Sequence, residues 1–402
     1  MTALFNIDHF ISQSVTGRTK SLLSEDLLRF HDKIQQQVQG QAVLVIGGAG
    51  TIGSSYIKAL LRYAPGKLVV VDINENGLTE LVRDCRSQTV IELPSEFYSY
   101  PIDFGSPVFK KIFTAHGPFD IVANFAAHKH VRSEKDVFSI EAMIQNNVIK
   151  AKGLLDVLSE FPPQHFFCVS TDKAANPVNI MGASKKLMEE LILSYKDTLK
   201  ITTARFANVA FSNGSLLAGF MDRIFKHQPL SCPYDVQRYF VSPEESGQIC
   251  LLACLLGESG DVFFPKLNME TDLIYFKDVA KAFLLAWGFE PEICHSELEA
   301  KTKAEKASNR YPLFLFESQT SGEKLYEEFY TPDEILDIQS FSSLGIIKNA
   351  GPFHKKALSD VVKNLDHFFS VPVDKAQVVE MLTQLLPHFS HVETGINLDQ
   401  KM

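Results

Sequence analysis

Between residues 42 and 206 the chain alternates short, almost wholly apolar runs with longer stretches where apolar and polar positions mix. The runs are Ala42 to Ile46, Lys67 to Val71, Asp120 to Phe125, His165 to Ser170 and Ile201 to Phe206. Runs of that length without polar alternation read as strands buried on both faces, and the stretches between them as helices covering those faces. The predicted fold class is therefore α/β, a doubly wound parallel sheet. Ahead of it, Leu27, Phe30, Ile34 and Val38 recur at helical spacing behind Ser24 as N-cap, which predicts an accessory helix with one apolar stripe. Such a helix is marginal alone, so it should dock on the body or on a second subunit. After about Ala207 the elements shorten. Glu297 to Asn309 reads as a charged, solvated stretch, and helices are expected over Asp360 to Phe369 and Lys375 to Leu386.

The composition narrows the picture. With 402 residues, 45% hydrophobic and 22% charged, the chain can bury a sizeable core and is not disordered. Its formal charge of −9 gives no general attraction for nucleic acid or anionic lipid, so any polyanion must be held by a local site. The six cysteines form no Cys-x-x-Cys pair, which argues against a disulfide framework or a zinc site and fits a reducing compartment. No metal ligand set is proposed. The start lacks a basic region followed by an apolar stretch, and no run reaches a membrane span, so a cytoplasmic protein is expected.

Chemistry enters where the first strand runs into Gly47-Gly48-Ala49-Gly50-Thr51-Ile52-Gly53. Strand, tight turn and helix with glycines at this spacing suit a dinucleotide. Gly47 allows the turn, Gly50 lets backbone N–H groups approach a pyrophosphate, Gly53 allows close helix packing, and Thr51 and Ile52 open the helix. The second strand ends at Asp72, where a ribose-binding carboxylate belongs. No Arg or Lys occurs from Ile73 to Val82, which favours NAD over NADP. Asp103, after the strand-like Tyr98 to Ile102, is a candidate for the adenine, with a solvated loop acid as the alternative. A further polar group, Ser170-Thr171-Asp172-Lys173, emerges at the carboxyl edge of the sheet, where ligands of such folds bind. Downstream, Met181 and Lys185 lie four apart on one helix face, a Tyr-x-x-x-Lys spacing with Met in place of Tyr.

Several separated motifs then agree with one another. They are Ala126-Ala127-His128-Lys129-His130-Val131 with Asn147, Ser170 to Ala174 with Asn176-Pro177, and Met181-Gly182-Ala183-Ser184-Lys185. Arg205-Phe206-Ala207-Asn208-Val209, Ser212-Asn213-Gly214-Ser215, Arg238-Tyr239-Phe240 and Gly322-Glu323-Lys324-Leu325-Tyr326-Glu327-Glu328 complete the set. With them the chain resembles an extended short-chain dehydrogenase/reductase, of the polysaccharide-biosynthesis branch of nucleotide-sugar 4,6-dehydratases. The resemblance covers about residues 42 to 330 and divides the chain. It gives an N-terminal helical extension (1–40), an NAD-binding Rossmann domain (41–206), a mainly substrate-binding domain (207–345) of which segments can return to the first, and a C-terminal helical extension (346–402).

The resemblance implies a redox-neutral reaction in which bound NAD takes hydride from sugar C4, water leaves across C5 and C6, and hydride returns to C6. It makes Asp172 the acid for the departing hydroxyl and Lys173 the base for the C5 proton, with Thr171 orienting the substrate. Asp172 would then work protonated and Lys173 neutral, although attraction between their charged forms opposes both. Lys185 would bind the nicotinamide ribose, and Ala126 would border the cofactor. Met181 cannot exchange a proton, so a relay through Thr171, Asp172 or water must serve the C4 hydroxyl. Arg238 is the candidate for the substrate pyrophosphate, Asn208 and Ser215 lie along the nucleotide, Glu323 and Lys324 reach from the smaller domain, and Lys129 sits near the sugar. The implied substrate is a nucleotide sugar, UDP-N-acetylglucosamine, and the implied assembly a homo-oligomer. Asn124, His128, Ala207 and Ser321 depart from the family pattern. The competing functions are a nucleotide-sugar epimerase or ketoreductase, which Met181 argues against, and a non-catalytic NAD-binding sensor, which retention of an acid beside a base argues against.

Overall fold

The apolar runs become the middle of one large sheet. The computed structural model describes residues 5–306, 309–318, 324, 326–348, 350 and 355–391. In it β1 (Ala42–Ile46), β2 (Lys67–Asp72), β3 (Glu96–Pro101), β4 (Ile121–Asn124), β5 (His165–Val169) and β6 (Ile201–Ala204) are all parallel, in the order β3-β2-β1-β4-β5-β6. Val43, Leu44 and Val45 are fully buried, as expected of strands with helices on both faces. Strand order reverses between β1 and β4, so the connections diverge there and leave a crevice at the carboxyl ends.

Later segments alternate between this sheet and a second layer. β7 (Asn208–Val209), β8 (Leu230–Pro233) and β9 (Gln237–Val241) lie outside it. β10 (Val262–Pro265) returns beside β6, while β11 (Leu273–Tyr275), β12 (Glu290–Cys294) and β13 (Arg310–Phe316) again lie outside. β15 (Leu344–Lys348) runs antiparallel to β10, and β14 (Ile335–Asp337), antiparallel to β15, closes the main sheet. Among the described residues the outer strands form two small sheets, β11-β9-β7 and β12-β13-β8. A second core of Phe10, Phe211, Phe220, Phe283 and Leu313 joins them to the N-terminal segment.

One contact fixes the element that matters most for the crevice. The helix Pro243–Leu256, with a Ser242/Glu245 capping box, packs on the helix Thr51–Leu61 that follows the glycine turn. A Cβ at Gly247 would lie 2.2 Å from the Ser55 carbonyl oxygen, so only glycine permits the approach.

Two expectations need correction. Ser24 is not an N-cap: it is the first residue of the helix Ser24–Arg29, and its hydroxyl donates to the Ser21 carbonyl at 2.7 Å. The accessory element is also two helices, broken at Phe30 before His31–Val38. What anchors it is Asp26, fully buried, whose carboxylate accepts the N–H groups of Ser342 and Ser343 at 2.7 and 2.8 Å. The extension thus docks on the body of its own chain. The stretch expected to be charged and solvated is largely exposed, and it folds as the helix Glu297–Ala304, capped by Ser296, with Ala300 buried against β13. Its charges pair locally, as Lys303 does with Glu292 and Glu299. The two tail helices form over Lys355–Phe368 and Lys375–Leu385 and pack on the helix Ile180–Leu193.

Candidate active site

The glycine turn leaves a cradle that side chains would fill. Gly47 has φ of +77°, its N–H donates to the Val71 carbonyl at 2.7 Å, and a Cβ there would lie 2.5 Å from the Ala126 nitrogen. At Gly53 a Cβ would meet the Gly47 carbonyl oxygen at 2.3 Å. Gly50 is the N-cap, and nothing closer than 3.4 Å faces its missing side chain. The first-turn N–H groups of Thr51, Ile52 and Gly53 sit at the positive end of the helix, a site suited to a pyrophosphate. The Thr51 hydroxyl accepts the Asn213 N–H at 2.9 Å, which ties the second layer to the turn. Asp72, at the end of β2, accepts the Ala49 and Asn74 N–H groups, each at 2.9 Å, and so stands beside the cradle. These residues fit a dinucleotide. Asp103 is otherwise engaged: burial pushes its carboxyl up, but the Lys150 ammonium and the Gly105 N–H outweigh that and hold it below the usual range.

Past β5 the backbone turns through Thr171 into a short 3-10 turn, Asp172–Ala174. The Thr171 hydroxyl donates to Asp172 Oδ1 at 2.8 Å, and the same oxygen accepts the Lys173 N–H at 2.9 Å and Lys173 Nζ at 3.0 Å. On the other side of Lys173 Nζ stands Glu327 Oε1, 3.6 Å away; both carboxylates are only 4% exposed. Arg238 is buried beside them and donates to the Gln237 and Lys324 carbonyls at 2.8 and 2.9 Å. Burial alone would push the Lys173 ammonium down, yet Asp172 and Glu327 together raise it above the ordinary lysine value. The two carboxylates therefore hold the proton on Lys173, against the neutral lysine of the expected working form. The reason is the second carboxylate, which adds to the attraction that the sequence showed from one side only.

Met181 and Lys185 lie on the helix Ile180–Leu193, capped by Asn179. Met181 is 2% exposed, and its N–H donates to Glu134 Oε1 at 2.9 Å. Burial pushes the Glu134 carboxyl up, and its other oxygen has no partner among the described residues. Lys185 Nζ donates to the Val169 carbonyl at 2.7 Å, and burial pushes its ammonium down. Beneath the site, Ser170 donates to Glu189 at 2.8 Å, and fully buried Arg205 binds Glu189, Glu334 and the Phe329 carbonyl.

The structure thus brings Thr171, Asp172, Lys173 and Arg238 into one cluster and sets the glycine turn and Asp72 together on the same sheet edge. Lys324 is half-buried, its Nζ 3.7 Å from Glu328. Ser215 caps the helix Leu216–Phe225, accepting the Ala218 N–H, so its hydroxyl already has a structural task. Asn208 is held in β7 beside Phe240 of β9, and Lys129 is exposed. Glu323 lies outside the described residues. Glu327 and Glu134 were not singled out from the sequence. Glu327 belongs to the motif at 322–328, but only the folded chain sets it against Lys173.

Comparison with known proteins adds the following. Residues 43–349 match the family described as "Polysaccharide biosynthesis protein". An uncharacterized membrane protein of Methanocaldococcus jannaschii is 28% identical over 86% of this chain and 96% of its own length. The capsular polysaccharide biosynthesis protein CapD of Staphylococcus aureus is 26% identical over 77% of this chain but 48% of its own length, so this chain spans about half of it. A UDP-N-acetylglucosamine 4,6-dehydratase (inverting) of Campylobacter jejuni is 28% identical over 58% of this chain and 70% of that enzyme. Among solved structures, Pen of Bacillus thuringiensis superposes with a TM-score of 0.63 at 21% identity, covering 82% of this chain and 98% of that one. The UDP-glucose 4-epimerase of Thermotoga maritima gives 0.53 at 20%, covering 72% and 90%. These two likenesses establish a shared fold. No helix of the described residues is long and apolar enough to cross a membrane.

Proposed function

This chain belongs to the polysaccharide biosynthesis protein family, and from that premise we propose that it is an NAD-dependent nucleotide-sugar 4,6-dehydratase acting on UDP-N-acetylglucosamine. The observation that carries the reading is the buried Asp172–Lys173 pair at the carboxyl end of β5, on the same sheet edge as the glycine cradle. The activity named for the Campylobacter relative supports it. The Asp72 carboxylate beside the cradle suits a ribose hydroxyl and repels a 2′-phosphate, which supports NAD over NADP.

A nicotinamide dinucleotide held at its pyrophosphate by the turn and at its riboses by Asp72 and Lys185 would supply reversible hydride acceptance from the sugar. The chain's own groups handle the protons. Asp172 gives one to the departing C6 hydroxyl, and Lys173 takes the one on C5, made acidic by the neighbouring C4 ketone. A single proton passing from Lys173 Nζ to Asp172 Oδ1 along their 3.0 Å hydrogen bond produces both working forms at once. Thr171, bonded to the same oxygen, orients that carboxyl, and the C4 hydroxyl proton, released as the hydride leaves C4, passes by way of the Thr171 hydroxyl to solvent water. Arg238 neutralises phosphate.

A 4-epimerase or ketoreductase has no use for an acid–base pair at C5 and C6, whereas loss of water across that bond requires one. With the protein, NAD and UDP-N-acetylglucosamine, the expected product has lost one water with no net NADH, and Asp172→Asn abolishes its formation. Unchanged substrate mass for UDP-, GDP- and CDP-linked sugars, or an epimer of equal mass, overturns the reading.

A further inference from the structure

Lys173 stands between two carboxylates, and only one of them belongs to the expected acid–base pair. We infer that Glu327 is a positioning residue whose protonation gates the Asp172–Lys173 couple: neutral Glu327 lets the proton pass from Lys173 to Asp172, and ionised Glu327 holds it on Lys173. The inference rests on the dehydratase reading above and deepens it.

The geometry makes the gate. Lys173 Nζ lies 3.0 Å from Asp172 Oδ1 and 3.6 Å from Glu327 Oε1, and both carboxylates are 4% exposed, so water does little to screen either contact. In the productive step the Lys173 N–H bond breaks and an Asp172 O–H bond forms, leaving an amine for the C5 proton and an acid for the C6 hydroxyl. With Glu327 ionised, that transfer gives up the attraction between the ammonium and a second anion. With Glu327 neutral, it turns one ion pair into a neutral pair, which a poorly solvated site tolerates better. The proton on Glu327 stays in place.

The groups around Glu327 decide its state. Burial and Asp172 favour the neutral acid, while Lys173, Arg238 on β9 and Lys324 on its own segment favour the anion, and the balance raises its carboxyl above the ordinary glutamate range. The sign follows. Protonated Glu327 is the permissive form, so turnover falls as pH rises through its titration.

The test compares wild type, Glu327→Gln and Glu327→Asp, measuring kcat and KM for water loss from UDP-N-acetylglucosamine across pH. Wild-type kcat is expected to fall by about tenfold as pH rises through the Glu327 titration, which lies above the ordinary glutamate range. The uncharged, similarly shaped glutamine should keep the low-pH rate and KM within about threefold and lose that fall. Glu327→Asp, which retains an ionisable group, should keep the fall and shift its midpoint. A glutamine variant that falls with pH as wild type does, or that loses more than about tenfold at every pH, overturns the gate while leaving the dehydratase reading intact. A wild type that releases no water overturns both. Thermal melting of the variants identifies misfolding, and Glu327→Asp then carries the test through its midpoint.

Discussion

Replacing Gly53 by alanine tests whether the turn is built for a bound dinucleotide. Position 53 is helical, so alanine would gain about 1 kcal/mol in intrinsic propensity. Its Cβ, however, would lie 2.3 Å from the Gly47 carbonyl oxygen and 2.9 Å from Gly48 Cα, both backbone atoms. That is more than about 1 Å inside van der Waals separation at the shorter contact. Overpacking of this kind costs about 1–3 kcal/mol, which leaves a net loss of about 1 kcal/mol. The structure can relieve the clash only by moving the turn away from the helix, and so out of line with the first-turn N–H groups. NAD affinity should therefore fall at least about tenfold, or about 1.4 kcal/mol. Gly50→Ala is the control: φ of −71° and ψ of 161° suit alanine, and its nearest neighbour is 3.4 Å away. A stiffer unfolded chain offsets poorer capping there, so stability should hold within about 0.5 kcal/mol while affinity still drops. Calorimetric titration with NAD reads the affinities and urea unfolding the stabilities. Unaltered NAD binding by Gly53→Ala refutes the reasoning, as does a Gly50→Ala protein that loses stability but keeps its affinity.

Two further outcomes concern the buried charges beneath the site. Arg205→Met should destabilise the fold by about 3 kcal/mol in urea titrations, because buried Glu189 would keep only Lys186, 3.5 Å away, as a charged partner; adding Glu189→Met should recover much of that loss. Burial opposes ionisation of Glu189, but Arg205, Lys186 and Ser170 hold it down at about 2, against an ordinary 4.5. Below the ordinary value the unfolded chain binds this proton and the folded one does not, so stability should decline as pH falls from about 5 towards about 2. Urea midpoints across that range should show a shallower decline for Glu189→Gln, and an equal decline would discard the assignment.

Much of the sheet was legible because its signal is local. The run Ala42–Ile46 needs no partner to declare itself a buried strand, and the observed β1 has those bounds. The glycine turn, Asp72 and the Asp172–Lys173 pair were legible for the same reason: each sits at a strand end. The misread segments owe their state to distant neighbours. Glu297–Ala304 is largely exposed, as its composition indicates, but that it is a helix rests on Ala300 buried against β13 and on charges that pair across and along it. Ser24 has a capping side chain, but Asp26 binding Ser342 and Ser343 decides where the segment docks. Glu327 is the sharpest case, since no spacing along the chain relates it to Lys173.

The segment that brings Glu327 to Lys173 is held in place by the buried Arg205 beneath the site. Arg205, at the end of β6, holds the Phe329 carbonyl at 2.9 Å and Glu334 through both guanidinium nitrogens, and so fixes the segment just past Glu327. Its remaining bonds go to Glu189, which also accepts from Ser170, immediately before Thr171 and Asp172. One guanidinium therefore fastens both walls of the acid–base cluster from beneath, without touching the cluster itself. A lysine could not do this, because a single ammonium lacks the forked donors that reach three partners in fixed directions. Arg205→Lys should then separate two effects that Arg205→Met confounds: it keeps the charge that Glu189 needs, yet it releases the segment that carries Glu327. Stability would be lost in part, while the distance on which the proton gate depends would be lost altogether.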